Sequence, residues 1–420
     1  MKCLPTSKVS QAQGNILHDW HAEVLTIRAF NRFVLDECKV LAQGCSSEFL
    51  RWRTIDEIAS SYCRDDTRAG EPGGQGSEWR GQPFTWREDV LLHMYCSEAP
   101  CGDASMELIM EAQEDATPWE LPLTNPSVPL PTTDPSTSLP GRAYFSQLGV
   151  VRRKPARSDA PPTLSKSCSD KLALRQCISL LSSITALLVD PRHVYIHTLV
   201  LPESRYSESA CRRSFSSCPI DGRMRSMASA EEQEERLKGE GEAPYTFRPF
   251  TVKTTSSEFA FSQRAATQAT ANNANQHAAT NEQNRPAAQK VSASNISAAW
   301  TRSGLEETTL GGILQGRKQS AADARGASFA SRRRIWGLAV EVADLLLPQA
   351  GEDNEEGEEG EGEAMNTSAI ADIRRALTAE TYGEMKGCAL LEPRRRAKHR
   401  ARAEALKGWV RNLGDESFNL

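Results

Sequence analysis

The sequence predicts an α/β fold, and three observations carry that reading. Apolar residues Val24, Ile27, Phe30 and Val34 recur at helical spacing. Compact apolar runs at residues 89–97 (DVLLHMYCS) and 193–201 (HVYIHTLVL) read as strands. Strands and helices alternate along the chain, as in layered α/β domains.

In order, residues 1–61 read as compact structure and residues 65–83, rich in Gly, Arg and Glu, as a loop. The strand at 89–97 leads to a brief helix and then to a Pro/Thr/Ser-rich stretch, residues 117–140. Residues 167–189 show one long helical pattern, stopped at Pro191. The strand at 193–201 is followed by a charged stretch, 224–243, and a strand-like piece, 245–261. Residues 264–290 are rich in Ala, Asn, Gln and Thr and read as disordered. Order resumes at Asn295, is interrupted over residues 348–366, and ends in a basic helix over 369–409. No internal repeat is visible. The expectation is one domain, residues 1–420, carrying disordered inserts at 65–83, 117–140, 224–243, 264–290 and 348–366.

Composition supports inserts, since 39% hydrophobic residues is low for a wholly folded chain. The net charge of −5 hides a basic remainder: the eight carboxylates within residues 352–363, once set aside, turn −5 into +3. Arg152, Arg153, Lys154 and Arg157 form one basic cluster; Arg332, Arg333 and Arg334 another; residues 394–402 a third. Such clusters read as phosphate-binding surface or as solvated faces. The eleven cysteines follow no disulfide framework, and no apolar stretch is long enough for a bilayer. The expectation is an intracellular protein, of nucleus or cytoplasm, with reduced thiols.

Chemistry concentrates in three short strings. His21 and Glu23 stand at the start of the first helical pattern, where an imidazole suits zinc and a nearby carboxylate can move protons. On its own, H-x-E is more often a cap and a surface charge. The string APCGDAS places Cys101 just before a helical run, where helix amides favour thiolate. Zinc deaminases carry H-x-E followed by P-C-x-x-C, but here position 104 is alanine, so a third ligand must come from elsewhere. Cys168, at the head of the long helix and capped by Ser165 or Ser167, is the candidate; Cys96 is the rival, although mid-strand. One histidine and two thiolates leave the open fourth position of a catalytic zinc site. Cys38, Cys63, Cys177, Cys211 and Cys218 read as structural thiols.

Together with KCLPTSK (residues 2–8), LHDWHAEV, RRKPARSDAPPTLSKSCSDK and LKGWVRNLGDESF, these strings resemble the A-to-I editase domain. That domain is shared by enzymes that edit double-stranded RNA and by eukaryotic tRNA adenosine deaminases. PCGDAS in place of a PCGDAR-like form, with no double-stranded-RNA-binding module in this sequence, resembles the tRNA-specific branch. The resemblance implies a cytidine-deaminase-like mixed sheet flanked by helices. It implies zinc held by His21, Cys101 and Cys168, proton transfer by Glu23, and conversion of adenosine to inosine at position 37 of alanine tRNA. It further implies a buried inositol hexakisphosphate lined by Arg28, Lys171, Tyr382, Lys386, Trp409 and Asp415, with Asp19 and Lys171 linking it to the metal. Ile27, Leu174 and Arg175 depart from the family pattern of cofactor contacts. Two other readings stand beside this one: a non-catalytic RNA-binding relative, and a deaminase of other RNA adenosines, of free nucleosides or of cytosine. In family members a helix and two strands precede the KCLPTSK-like string. The sequence therefore reads as N-terminally truncated, with Val90, Leu92 and Met94 expected to be partly uncovered at a sheet edge.

Overall fold

The computed structural model describes residues 2–59, 81–112, 117, 139–140, 144–154, 161, 163–228, 243–278, 294–318, 323–347 and 361–420. In chain order the strands are β1 (Leu50–Trp52), β2 (Phe84–Trp86), β3 (Leu92–Tyr95), β4 (Leu139–Pro140), β5 (Arg152–Arg153), β6 (Val189–Asp190), β7 (Ile196–Pro202), β8 (Thr251–Thr255), β9 (Ile296–Trp300), β10 (Glu306–Leu310) and β11 (Ile313–Leu314). The helices are α1 (Ala22–Ala42), α2 (Ile55–Ala59), α3 (Met106–Glu111), α4 (Cys168–Ile178), α5 (Thr185–Leu188), α6 (Glu208–Phe215), α7 (Gln263–Ala278), α8 (Arg332–Leu345), α9 (Glu361–Leu377), α10 (Tyr382–Gly387) and α11 (Glu392–Glu404).

The α/β class holds. β3, β7 and β8 form a parallel sheet in that order, with Met94, Leu199 and Val252 in register. β1, β2 and β6 form a mixed sheet, and β9, β10 and β11 an antiparallel one. Helix α1 separates two cores. It sends Ile27, Val34, Cys38 and Leu41 into the main core with Leu172, Leu199 and Trp336. On its other side, Leu25 and Ala29 join Leu4, Leu17, Trp20, Ile313 and Phe329. Residues 2–4 run antiparallel to 18–20: the Leu4 amide donates to His18 O and the Trp20 amide to Lys2 O, which puts Cys3 beside Asp19.

Several elements differ from expectation. The strand at 89–97 shrinks to β3 because a turn, closed by the Val90 amide on Arg87 O, occupies its start. The long helix over 167–189 stops at Ile178: Ser179 takes φ +59°, and Asn31 of α1 holds the following turn through Leu180 O and the Ser182 amide. The basic helix over 369–409 is three helices, restarted by the Thr381 cap on the Glu384 amide and by Pro393 at the first turn of α11. Ordered strand within 245–261 is confined to β8.

Of the expected disordered inserts, residues 264–278 belong to α7 and residues 361–366 to α9. Residues 81–83 and 224–228 are also structured, with Gln82, Met224 and Met227 buried. Residues 139–140 pair with β5. The rest of those five inserts lies outside the described residues, apart from Thr117 and residue 243. At the β3 edge Val90 and Leu92 are half-buried as expected, whereas Met94 is buried in the main core. Among the described residues no helix is long and apolar enough to cross a membrane.

Candidate active site

The three parallel strands end on one edge, and from it the chain leaves β3 into Cys96 and then Cys101. Carboxyl ends of parallel strands are where α/β sheets place ligands. The turn after Cys101 requires glycine: Gly102 has φ +105°, and a Cβ there would collide with the Ser167 side chain. That close approach brings the head of α4 against the Cys101 loop. Ser167 caps α4 by accepting from the Asp170 amide, and the Ser169 hydroxyl donates to Pro100 O and Cys101 O. The Cys168 amide points at Cys101 Sγ from 3.4 Å. The two candidate thiols are thus neighbours.

Their electrostatics follow. A hydrogen bond from Cys168, aided by the Lys154 ammonium and His21, draws Cys101 down to about 6 despite its burial. Burial, and then Cys101 itself, pushes Cys168 well above an ordinary thiol. The pair carries one thiolate. Cys96 is different: burial raises it with no cation to offset the cost, and its amide is tied to Val200 O in the sheet. Glu23 stands in the first turn of α1, and its charge acts on Cys96, Cys101 and Cys168.

His21 is the residue before α1, and its ring is oriented by Asp19, with Nδ1 2.8 Å from Oδ1. Its Nδ1 also lies 3.7 Å from Cys3 Sγ. Burial opposes a charged ring, yet the Asp19 and Cys3 contacts raise His21 to about 10. Among the described residues, Cys3, Asp19 and His21 are the group whose possible ligand atoms all lie within 4.8 Å of one another. His21, Cys101 and Cys168 do not form so tight a group; His21 is joined to them through Asp19 and Lys154. Lys154 Nζ donates to Asp19 Oδ2 at 3.0 Å and to Cys168 Sγ at 3.1 Å. Burial works against that ammonium, but Asp19 and the thiols hold it charged, well above an ordinary lysine. The donor set suits zinc: two soft sulfur ligands beside a histidine oriented by a carboxylate, the usual partner of a metal-bound imidazole. A metal would displace the His21 proton.

From the sequence, Lys154 reads as part of a phosphate-binding surface or a solvated face. The structure buries it, and Arg152 as well, which donates to Tyr144 O and Gln147 O. Only the position of Lys154 inside the RRKPARSD string hinted at this; its charge pattern pointed outward.

Behind Asp19 lies a cavity of about 970 Å³. Asp19, Arg28, Lys171, Tyr382, Lys386 and Trp409 all line it, as the resemblance implied. Asp415 does not: it stands behind the wall, accepting from Arg332 Nη1 at 2.9 Å and from the Gly14 amide, and it pairs with His18. Arg175, Arg394, Lys398 and Arg402 also face the cavity. Arg175 thereby returns a cation to a wall where Ile27 and Leu174 supply none. Burial, and then repulsion from Arg402, Arg394, Lys386 and Arg175, drives Lys398 well below an ordinary lysine. Burial likewise lowers Arg28, Arg175 and Arg402. Guanidinium does not deprotonate in proteins, so for the arginines these shifts measure the cost of keeping the charge. The Nε atoms of Arg394 and Arg402 are buried without a hydrogen-bond partner. Lys171 joins the cavity to the metal-side cluster through its ion pair with Asp19. Such a wall fits a polyanion.

A family description, the adenosine-deaminase (editase) domain, matches residues 74–412. The match includes Cys101, Lys154 and Cys168, and begins after the segment with Asp19, His21, Glu23 and Arg28. Among curated proteins, tRNA-specific adenosine deaminase 1 of Schizosaccharomyces pombe is 36% identical over 264 residues, 63% of this chain and 56% of that protein. Its Saccharomyces cerevisiae counterpart is 31% identical over 210 residues, 48% of this chain and 44% of that protein. Double-stranded RNA-specific editase B2 of Mus musculus is 24% identical over 219 residues, 48% of this chain and 23% of that protein. The chain spans about half the length of the two yeast relatives.

Proposed function

Because this chain belongs to the adenosine-deaminase (editase) family, we propose that it converts adenosine to inosine in tRNA by zinc-dependent hydrolysis. The observation that carries the reading is the Cys101–Cys168 pair, bridged by Lys154 and Asp19 to His21, with Glu23 two residues on in the first turn of α1. His21, Cys101 and Cys168 would hold zinc, which supplies the Lewis acidity that activates a water. Glu23 takes the proton of the water that attacks C6 of adenine, then delivers it toward N1 and the departing amine. One water is consumed and one ammonia released. Lys154 holds Cys168 Sγ and Asp19 together, and Asp19 fixes the ring of His21.

The target is an unpaired loop base, since a base must leave its stack to reach the pocket. The similarity to the yeast tRNA-specific enzymes supports tRNA; the adenosine at position 37 of alanine tRNA is what the editase resemblance implies within it. The cationic cavity is the seat of a structural inositol hexakisphosphate; its unpaired Arg394 and Arg402 Nε donors support a ligand with many phosphate oxygens. The protein works inside the cell, in nucleus or cytoplasm. Inosine mapping of total tRNA from cells with and without the gene tests the function: inosine at position 37 of alanine tRNA should vanish without it. Mass spectrometry of denatured protein from a eukaryotic host should release inositol hexakisphosphate, and its absence would refute the cofactor assignment.

A further inference from the structure

The loop that follows β8 lies on the same sheet edge as Cys101, and it displays two phenylalanines to solvent. Phe259 is 49% exposed and Phe261 84% exposed. Their rings meet edge to face with centroids 5.6 Å apart, so the two form a shaped pair. Nothing about folding rewards that exposure.

The pair is tied to the segment that carries the Cys101 thiol. The Tyr95 hydroxyl, at the end of β3, accepts from the Phe259 amide at 3.1 Å and donates to Ser257 O at 3.3 Å. Tyr95 is itself 44% exposed. Glu98, midway between Tyr95 and Cys101, binds Arg205 at 3.0 Å. On the loop side Glu258 accepts from Ser204 and pairs with Arg264 at 3.1 Å. These contacts fix the loop to the route from β3 to the site. Exposed Lys253, in register with Tyr95 through Val200, adds a cation to the same face.

We propose that Phe259 and Phe261 are a stacking platform for unpaired bases of the RNA loop that delivers its adenosine to the site. The inference rests on the deaminase reading and adds a binding surface to it. Aromatic faces accept any base, and exposed Lys253 can meet a phosphate between bases. An apolar protein partner would call for a wider apolar patch than these two rings.

The test uses the full zinc-loaded chain and a tRNA anticodon stem-loop with 2-aminopurine at an unpaired loop position. Wild-type protein should quench the fluorescence. Phe261→Ala should abolish the quenching and raise KM roughly tenfold, the effect of one lost base stack, with kcat unchanged. Phe261→Trp should restore both. Unchanged KM and quenching in Phe261→Ala overturn the platform, as does a loss that tryptophan does not rescue. If wild type quenches the loop base yet forms no inosine, the deaminase reading fails while the platform stands.

Discussion

Asp19 separates two clusters of buried charge that are neutralised in opposite ways. On its metal side, opposite charges meet within the chain: Lys154 faces Asp19 and Cys168, and His21 faces Asp19. On its cavity side, Arg28, Arg175, Lys398 and Arg402 face one another, and Asp19, Glu392 and Glu416 are the acidic residues on the wall. A closed set of pairs can persist without a ligand. A crowd of like charges needs an external anion, or it destabilises the fold it sits in. The first cluster reads as chemistry and the second as a socket.

The largest effect should come from breaking the thiol pair. Cys168→Ala should lose zinc and all activity, while Cys96→Ala keeps both; metal analysis of the two purified variants decides. Zinc lost from the second and kept by the first would move the ligand into the sheet.

Next is Lys154→Met, which leaves Asp19 and Cys168 without their shared cation. Removing one partner from a buried pair costs about 3–5 kcal/mol, and the remaining Lys171 contact places this case near the lower figure. Denaturant unfolding measures it; no change would mean that the metal-side cluster is not the closed set described.

On the cavity side the sign should depend on the anion. Lys398 holds its proton less tightly folded than unfolded, so between its lowered pKa and the ordinary 10.5 the unfolded chain binds more protons. The anion-free protein should therefore gain stability as pH rises toward 10.5, and Lys398→Met should stabilise it at pH 7, by about 1.4 kcal/mol per unit of pKa lowering. With inositol hexakisphosphate bound, the same variant should destabilise. Destabilisation in both states would show that Lys398 has a partner of its own.

The smallest effect concerns charge outside both clusters. Deleting residues 352–363 removes eight carboxylates and should tighten tRNA binding at low salt while leaving kcat unchanged. Screening over a Debye length of about 10 Å at 0.1 M salt should erase the difference. Unchanged affinity at low salt would place the acidic run away from the RNA.

The two clusters were unequally legible in the sequence. Cys101 and Cys168 stand in short strings whose local physics is readable: a glycine turn, a serine cap, a helix start. Lys154 was not, because a lysine in a basic run looks solvated until long-range pairing with Asp19, 135 residues away, buries it. The cavity was legible only through resemblance, and Asp415 shows the limit, since it supports Arg332 from behind the wall. The helix breaks escaped for a similar reason: Ser179 turns because Asn31 of another helix holds the next residues, a tertiary cause that propensity does not contain. In α7, residues 263–278, alanines in a polar sequence were read as disorder where they propagate a helix.

The central claim is hydrolytic deamination with Glu23 as proton carrier, and one paired assay tests it most directly. Zinc-loaded wild type and zinc-loaded Glu23→Gln are incubated with an alanine tRNA transcript, and inosine is counted at position 37. Wild type should form inosine, and the variant should keep its zinc while losing at least about 10²-fold in rate. A variant within tenfold of wild type would contradict the role of Glu23. A wild-type chain that binds zinc and tRNA but forms no inosine would contradict the account itself, and would make the protein a non-catalytic RNA-binding relative.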